Sequence, residues 1–141
     1  MQRKLTKRRI ALIQLQQSQA LYNQGDFVSS LTLAGAAEEI YGRVAEANGG
    51  QSLLGEELRF LDDMVRGVSG RDFNKKEFIA KANETRNHLK HADARGNSTV
   101  HADFEGDAKD MIWRALDNYR RAFGCLPSNP ELRRIFNSHG K

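Results

Sequence analysis

Arg86-Asn87-His88-Leu89-Lys90-His91 is the densest run of hydrogen-bonding and titratable side chains in the sequence. An arginine presents a planar fork to a phosphate and stays charged at any pH a protein meets. A histidine takes or gives a proton near neutrality. These types suffice to cleave RNA without a metal. His91 would act as acid or base around the 2′-hydroxyl and the leaving oxygen, and Arg86 would hold the negative phosphoryl group. Asn87 would organise such a site by hydrogen bonding, and His88 stands by as an assisting ligand group. The bland alternative is a solvated helix end, where the dipole favours histidine in any case.

Spacing sets a condition on the chemistry. Arg86 and His91 are five residues apart, so on a straight helix they point about 140° away from each other. Asn87 and His91, four apart, share a side. Either the helix distorts near its end, or a second copy of the chain completes the site across a two-fold axis; the second is the expectation.

The elements that must carry these residues are helical. Apolar residues recur at helical spacing throughout, and no segment alternates at period two. Only two prolines occur, Pro127 and Pro130, both near the end. A first helix is predicted from Leu5 to Asn23. Asp26 caps a second that stops at Gly49-Gly50. A third spans Leu53 to Val68, with Leu54, Leu58, Leu61, Met64 and Val65 as its buried set. The motif helix opens at Asn74 and runs to Ala92, turning Phe78, Ala82, Thr85 and Leu89 inward. Asp93 to Ala102 reads as a loop. A fifth helix runs from Asp103 to Phe123, and Pro130 opens a last short one through Phe136. The fold class is all-α, an antiparallel helical bundle of four to five main helices plus a short C-terminal helix, in a single domain. Trp113 lies off the inward stripe of its helix and fits either a subunit contact or packing against the last helix.

Composition narrows the surroundings. A chain of 141 residues buries a core without staples. No stretch approaches the roughly 20 apolar residues that cross a bilayer, so no membrane partner is expected. The basic N-terminus lacks the apolar segment of a secretory signal. One cysteine, Cys125, fits a reducing cytoplasm. The net charge of +4 is concentrated at one tip: Arg3, Lys4, Lys7, Arg8 and Arg9 leave 17 cations against 18 acids elsewhere. The near-neutral remainder offers little charge to track a long RNA, so the tip would have to help. His88, His91, Asp93 and His101 supply metal-ligand types without a ligating pattern, and no phosphate loop exists. Neither a metal nor a cofactor is expected.

Glu38 is the one residue of the second helix that packing does not explain. Phe27, Leu31, Ala34, Tyr41, Val44 and Ala45 form its apolar side, and Glu38 projects into the middle of it. A carboxylate there needs a cation or donors, or else its stem lies along the stripe and its head reaches water.

Arg86-Asn87 followed by His91 resembles the Arg-Asn-x-x-x-His signature of the HEPN superfamily, and Leu31-Thr32-Leu33-Ala34-Gly35-Ala36-Ala37-Glu38-Glu39-Ile40 is similar to the second helix of prokaryotic HEPN proteins. The resemblance implies a helical bundle that forms a homodimer, with Arg and His of both subunits lining a shared cleft. It implies a metal-independent endoribonuclease, often a toxin or defence component with a nucleotidyltransferase-type antitoxin as partner. Arg86 would be the phosphate-binding arginine, Asn87 the polar residue after it, and His91 the catalytic histidine. Other HEPN proteins bind a nucleotide or another anionic ligand without turnover, or act only as structural partners. Glu38 takes no role from the resemblance; it is expected to pair with a cation of the motif helix, Arg86 in particular.

Overall fold

Six side chains start six of the helices. The computed structural model describes residues 2–91 and 99–139. Thr6, Asp26, Ser52, Asn74, Asp103 and Asn129 each accept a hydrogen bond from a backbone N–H of the turn that follows, relieving donors that a helix start leaves unpaired. They open α1 (Lys7–Asn23), α2 (Phe27–Ala47), α3 (Leu53–Ser69), α4 (Lys75–Ala82), α6 (Phe104–Phe123) and α7 (Pro130–Ser138). The short α5 (Glu84–Lys90) follows α4 without such a cap. No strand occurs among the described residues, and none of their helices is long and apolar enough to cross a membrane.

Packing centres on α2 and α6. The α2 face carries Ala34, Ala37 and Ala45, all fully buried, and such small side chains let another helix approach closely. Leu31 and Tyr41 of α2 meet Ile112, Leu116 and Tyr119 of α6, and α1 closes the cluster with Ala11 and Leu15. Tyr41, Tyr119 and Phe123 stack edge to face, the arrangement aromatic quadrupoles favour. Gly25, at φ +82°, turns the chain between α1 and α2 in a conformation that side chains resist. The two helices return antiparallel, with the Ser18 hydroxyl donating to the Ser30 carbonyl at 2.8 Å. By contrast α2 and α6 run in the same direction: Glu38 meets Arg114 and Asn118, and further along Asn48 donates to the Ala122 carbonyl. The excursion through α3 to α5 carries the chain back to make that possible.

Two predicted elements differ in the structure. The motif helix is not continuous, because it breaks at Asn83 into α4 and α5. Arg114 of α6 donates to the Ala82 carbonyl at 3.0 Å and to Asn83 Oδ1 at 3.2 Å, supplying a partner for a carbonyl at the break. The predicted end at Ala92 and most of the Asp93–Ala102 loop lie outside the described residues. Met64, expected in the core, is 48% exposed. The reason is that α3 is anchored near its start, where the Leu53 N–H donates to Asn118 Oδ1 at 2.7 Å and Glu56 pairs with Arg121. Beyond that anchor its apolar residues outnumber what α4 covers. Trp113 stacks on Phe136 and His139 of the last helix and its end, which is the second of its two expected roles.

Candidate functional site

Arg86 reaches from α5 across to α2. Its Nη1 donates to the Gly35 carbonyl at 3.3 Å and to Glu38 Oε2 at 3.4 Å. Gly35 is the residue that permits this. A Cβ at that position would overlap Arg86 Cδ, so the arginine stem lies where any other residue would place a side chain. Gly35 and Glu38 are three apart and share a face of α2; together they form a seat for one guanidinium.

The seat has a second arginine. Arg114 Nη2 donates to Glu38 Oε1 at 3.1 Å, and Asn118 Nδ2 reaches the same oxygen at 3.3 Å and the Glu38 carbonyl at 3.2 Å. Glu38 has 8% side-chain exposure, Arg86 11% and Arg114 14%. A carboxylate so enclosed is tolerable only because both oxygens are matched by donors. The expected pairing of Glu38 with Arg86 is therefore present, and the alternative of a hydrated head is not. Arg86 Nε is buried and has no hydrogen-bond partner among the described residues.

The histidines fall elsewhere. Leu89 packs against the core with Arg86 turned inward, so α5 presents His88 outward, exposed. His91 has left the helix. It sits at φ −118°, ψ 103°, with its N–H donating to the Asn87 carbonyl at 3.1 Å, and it is exposed. The motif helix is thus distorted at its end, and the 140° divergence of a straight rod no longer applies to His91. Asn87 is half-buried. Among the described residues no hydrogen bond joins Arg86 to Asn87, His88 or His91. Within one chain the fold brings Arg86 and Glu38 together and leaves the imidazoles apart from them in solvent.

Sequence reasoning missed Arg114, Asn118 and Asn83. Asn118 is fully buried and ties α2, α3 and α6 together through its amide. The available signal is the four-residue spacing of Arg114 and Asn118, which puts them on one side of α6 beside its apolar stripe.

Of the recesses that adjoin the motif, some lie beside Asn87 and His88, and two are lined by its cations. One, of about 240 Å³, is lined by Arg86, Arg114 and Lys81 together with Glu84, Asp107 and Asp110. Its charges balance, so it exerts no net pull on an anion. The other, of about 590 Å³, runs along α2 with Lys7, Arg43 and Lys90 around one carboxylate, Glu39. Among the described residues no group of three or more His, Cys, Asp and Glu is placed to hold a metal ion. No family model, curated protein or solved structure matches this chain.

Proposed function

We propose that the chain is a HEPN-type endoribonuclease that works as a homodimer without a metal, in the manner of a toxin or defence component. The observation that carries this reading is the division of labour at α5. Arg86 is held by Glu38 and the Gly35 carbonyl, while His91 is exposed just past the helix end. A permanently charged, preoriented guanidinium suits a phosphoryl group, and an accessible imidazole suits proton transfer. In the reaction His91 takes the 2′-hydroxyl proton, the 2′-oxygen attacks phosphorus, and the 5′-oxygen departs with a proton from water. Arg86 of one copy serves the phosphate beside His91 of the other, with Asn87 and His88 as polar neighbours.

Self-association draws support from α3. Phe60, Met64 and Val68 follow one another at four-residue steps and are 67%, 48% and 86% exposed. Burying side chains of this kind stabilises a complex by about 1.5–3 kcal/mol each. Glu57 and Arg71 lie seven residues to either side of Met64, both exposed and without an ion pair among the described residues. Arg71 lies past the Gly70 turn that ends α3, so two copies of the stripe laid antiparallel bring the Glu57 end of each toward the Arg71 end of the other. Charge therefore favours a second copy as occupant. Val68→Glu is expected to shift sedimentation to the monomer; an unchanged sedimentation coefficient would rule this surface out.

A second reading is favoured by the enclosure of Arg86. A guanidinium already bonded to Glu38 serves equally as an internal strut, in a module that binds an anionic ligand or a nucleotidyltransferase-type partner without turnover. Cleavage of mixed RNA in EDTA separates the two. The nuclease reading predicts cleavage by the wild type and its loss in His91→Ala, a change at an exposed position outside the core, with circular dichroism verifying the fold. Equal cleavage by both proteins, or none by the wild type, favours the strut.

A further inference from the structure

The groove along α2 answers a difficulty set by composition, namely that the net positive charge is concentrated at the N-terminal tip while the motif lies late in the chain. Lys7 of α1, Arg43 of α2 and Lys90 of α5 line the same recess. The tip and the end of the motif helix are neighbours in space, and His91 follows Lys90 directly in the chain. The floor between them is apolar, with Ile40 and Val44 flanked by alanines.

Charge in the groove is unbalanced. Glu39 pairs with Arg43 at 3.0 Å and with Lys90 at 3.9 Å, while Lys7 has no ion pair among the described residues. Three cations against one carboxylate leave an excess of two positive charges, in contrast to the balanced recess beside Arg86. The cations come from three helices, so they mark a line rather than a point. A volume of about 590 Å³ falls within the range of small-ligand sites and has room for a nucleotide unit. An apolar floor with a cationic rim matches an unstacked base with phosphates on either side.

The geometry points to this groove as the binding track for single-stranded RNA, with phosphates at Lys7, Arg43 and Lys90, a base on the Ile40–Val44 floor, and the strand leading past Lys90 to His91. The inference takes its ligand from the nuclease reading, but not its evidence, which is the convergence of charge. Glu39 acts in it as a brace that holds two cations at some electrostatic expense to the phosphates.

Binding separates the two claims, because it requires no cleavage. Fluorescence anisotropy of a labelled oligouridine in EDTA, measured on His91→Ala, provides the readout. Replacing Lys7, Arg43 and Lys90 together by alanine is expected to weaken binding at least about tenfold and to reduce the salt-dependence slope by about 2, at roughly 0.7 per phosphate contact on a single strand. Glu39→Gln is expected to tighten binding, which a merely structural glutamate would not do. All four positions are on the surface, and circular dichroism verifies that the variants fold. Groove-dependent binding without cleavage by the wild type would sink the nuclease reading and keep the groove. Cleavage with unchanged binding in the triple variant would overturn the groove alone. Absence of binding by the His91→Ala protein, or capture of anionic vesicles in preference to RNA, would overturn it as well.

Discussion

Removing the Glu38 carboxylate should be the most damaging single change in the site. In Glu38→Ala two guanidiniums with 11% and 14% side-chain exposure lose their shared counter-charge, and Asn118 loses an acceptor. Breaking a buried ion pair by deleting one partner costs about 3–5 kcal/mol, because the survivor stays buried and uncompensated. Some relief comes from backbone carbonyls, since Arg86 also donates to Gly35 and Arg114 to Ala82, so the lower half of that range is expected. For a chain of this size each kcal/mol moves Tm by roughly 2–4 °C, giving a fall on the order of 10 °C. Urea denaturation followed by far-ultraviolet circular dichroism measures the change. A double-mutant cycle with Arg86→Ala sharpens the test: the pair should be less unstable than the sum of the singles by about 1–3 kcal/mol. A loss below about 1 kcal/mol, the range of an exposed pair, or strict additivity, would refute the claim that Glu38 is the enclosed anchor of both arginines.

Gly35→Ala should displace the Arg86 stem and cost about 1–3 kcal/mol, the usual effect of overpacking; combining it with Arg86→Ala should remove most of that loss, as denaturation midpoints would reveal. Tyr41→Phe should be neutral or slightly stabilising. The Tyr41 hydroxyl is buried without a partner among the described residues and its pKa is raised, chiefly by burial, so removing it abolishes an unmet hydrogen-bonding demand. Asp62 gives an acid-sensitive turn. Burial alone would push its carboxyl up, but the Phe73 N–H, Lys75 and Arg66 outweigh it and hold the group below the ordinary value. The stability it contributes is therefore complete above the unfolded value of about 3.9 and disappears as pH falls through the lower folded value. Hydrogen exchange at the Phe73 amide should accelerate across that window, and Asp62→Asn should remove the acceleration.

What the sequence made legible followed from periodicity and caps. Asp26, Asn74, Asp103 and Pro130 mark helix starts in residue types, and the carboxylate inside the α2 stripe stands out as needing either a buried partner or a hydrated head. What stayed hidden depends on contacts between distant segments. The break at Asn83 cannot be read locally, because Lys75 to Lys90 is a plausible continuous helix until Arg114 reaches in from α6. Gly35 looks like one more small residue of an alanine-rich face until Arg86 is found lying over it. The exposure of Met64 and Val68 likewise reflects where α3 is anchored, which the helical pattern of α3 does not encode. The meeting of Lys7 with Lys90 in one groove is of the same kind: each is an ordinary surface cation in its own segment.

The central claim, that Arg86 of one copy and His91 of another make one site, is tested most directly by mixing two inactive proteins. Arg86→Gln removes the guanidinium while leaving Glu38 paired with Arg114 and Asn118, and His91→Ala loses the imidazole. Each should be a folded dimer by sedimentation and unable to cleave RNA in EDTA. After subunit exchange of equal amounts, half the dimers carry both variants and each of these holds one intact site, so activity should return to about a quarter of wild type. Exchanged dimers that stay inactive, or either variant cleaving alone at the wild-type rate, would contradict the account.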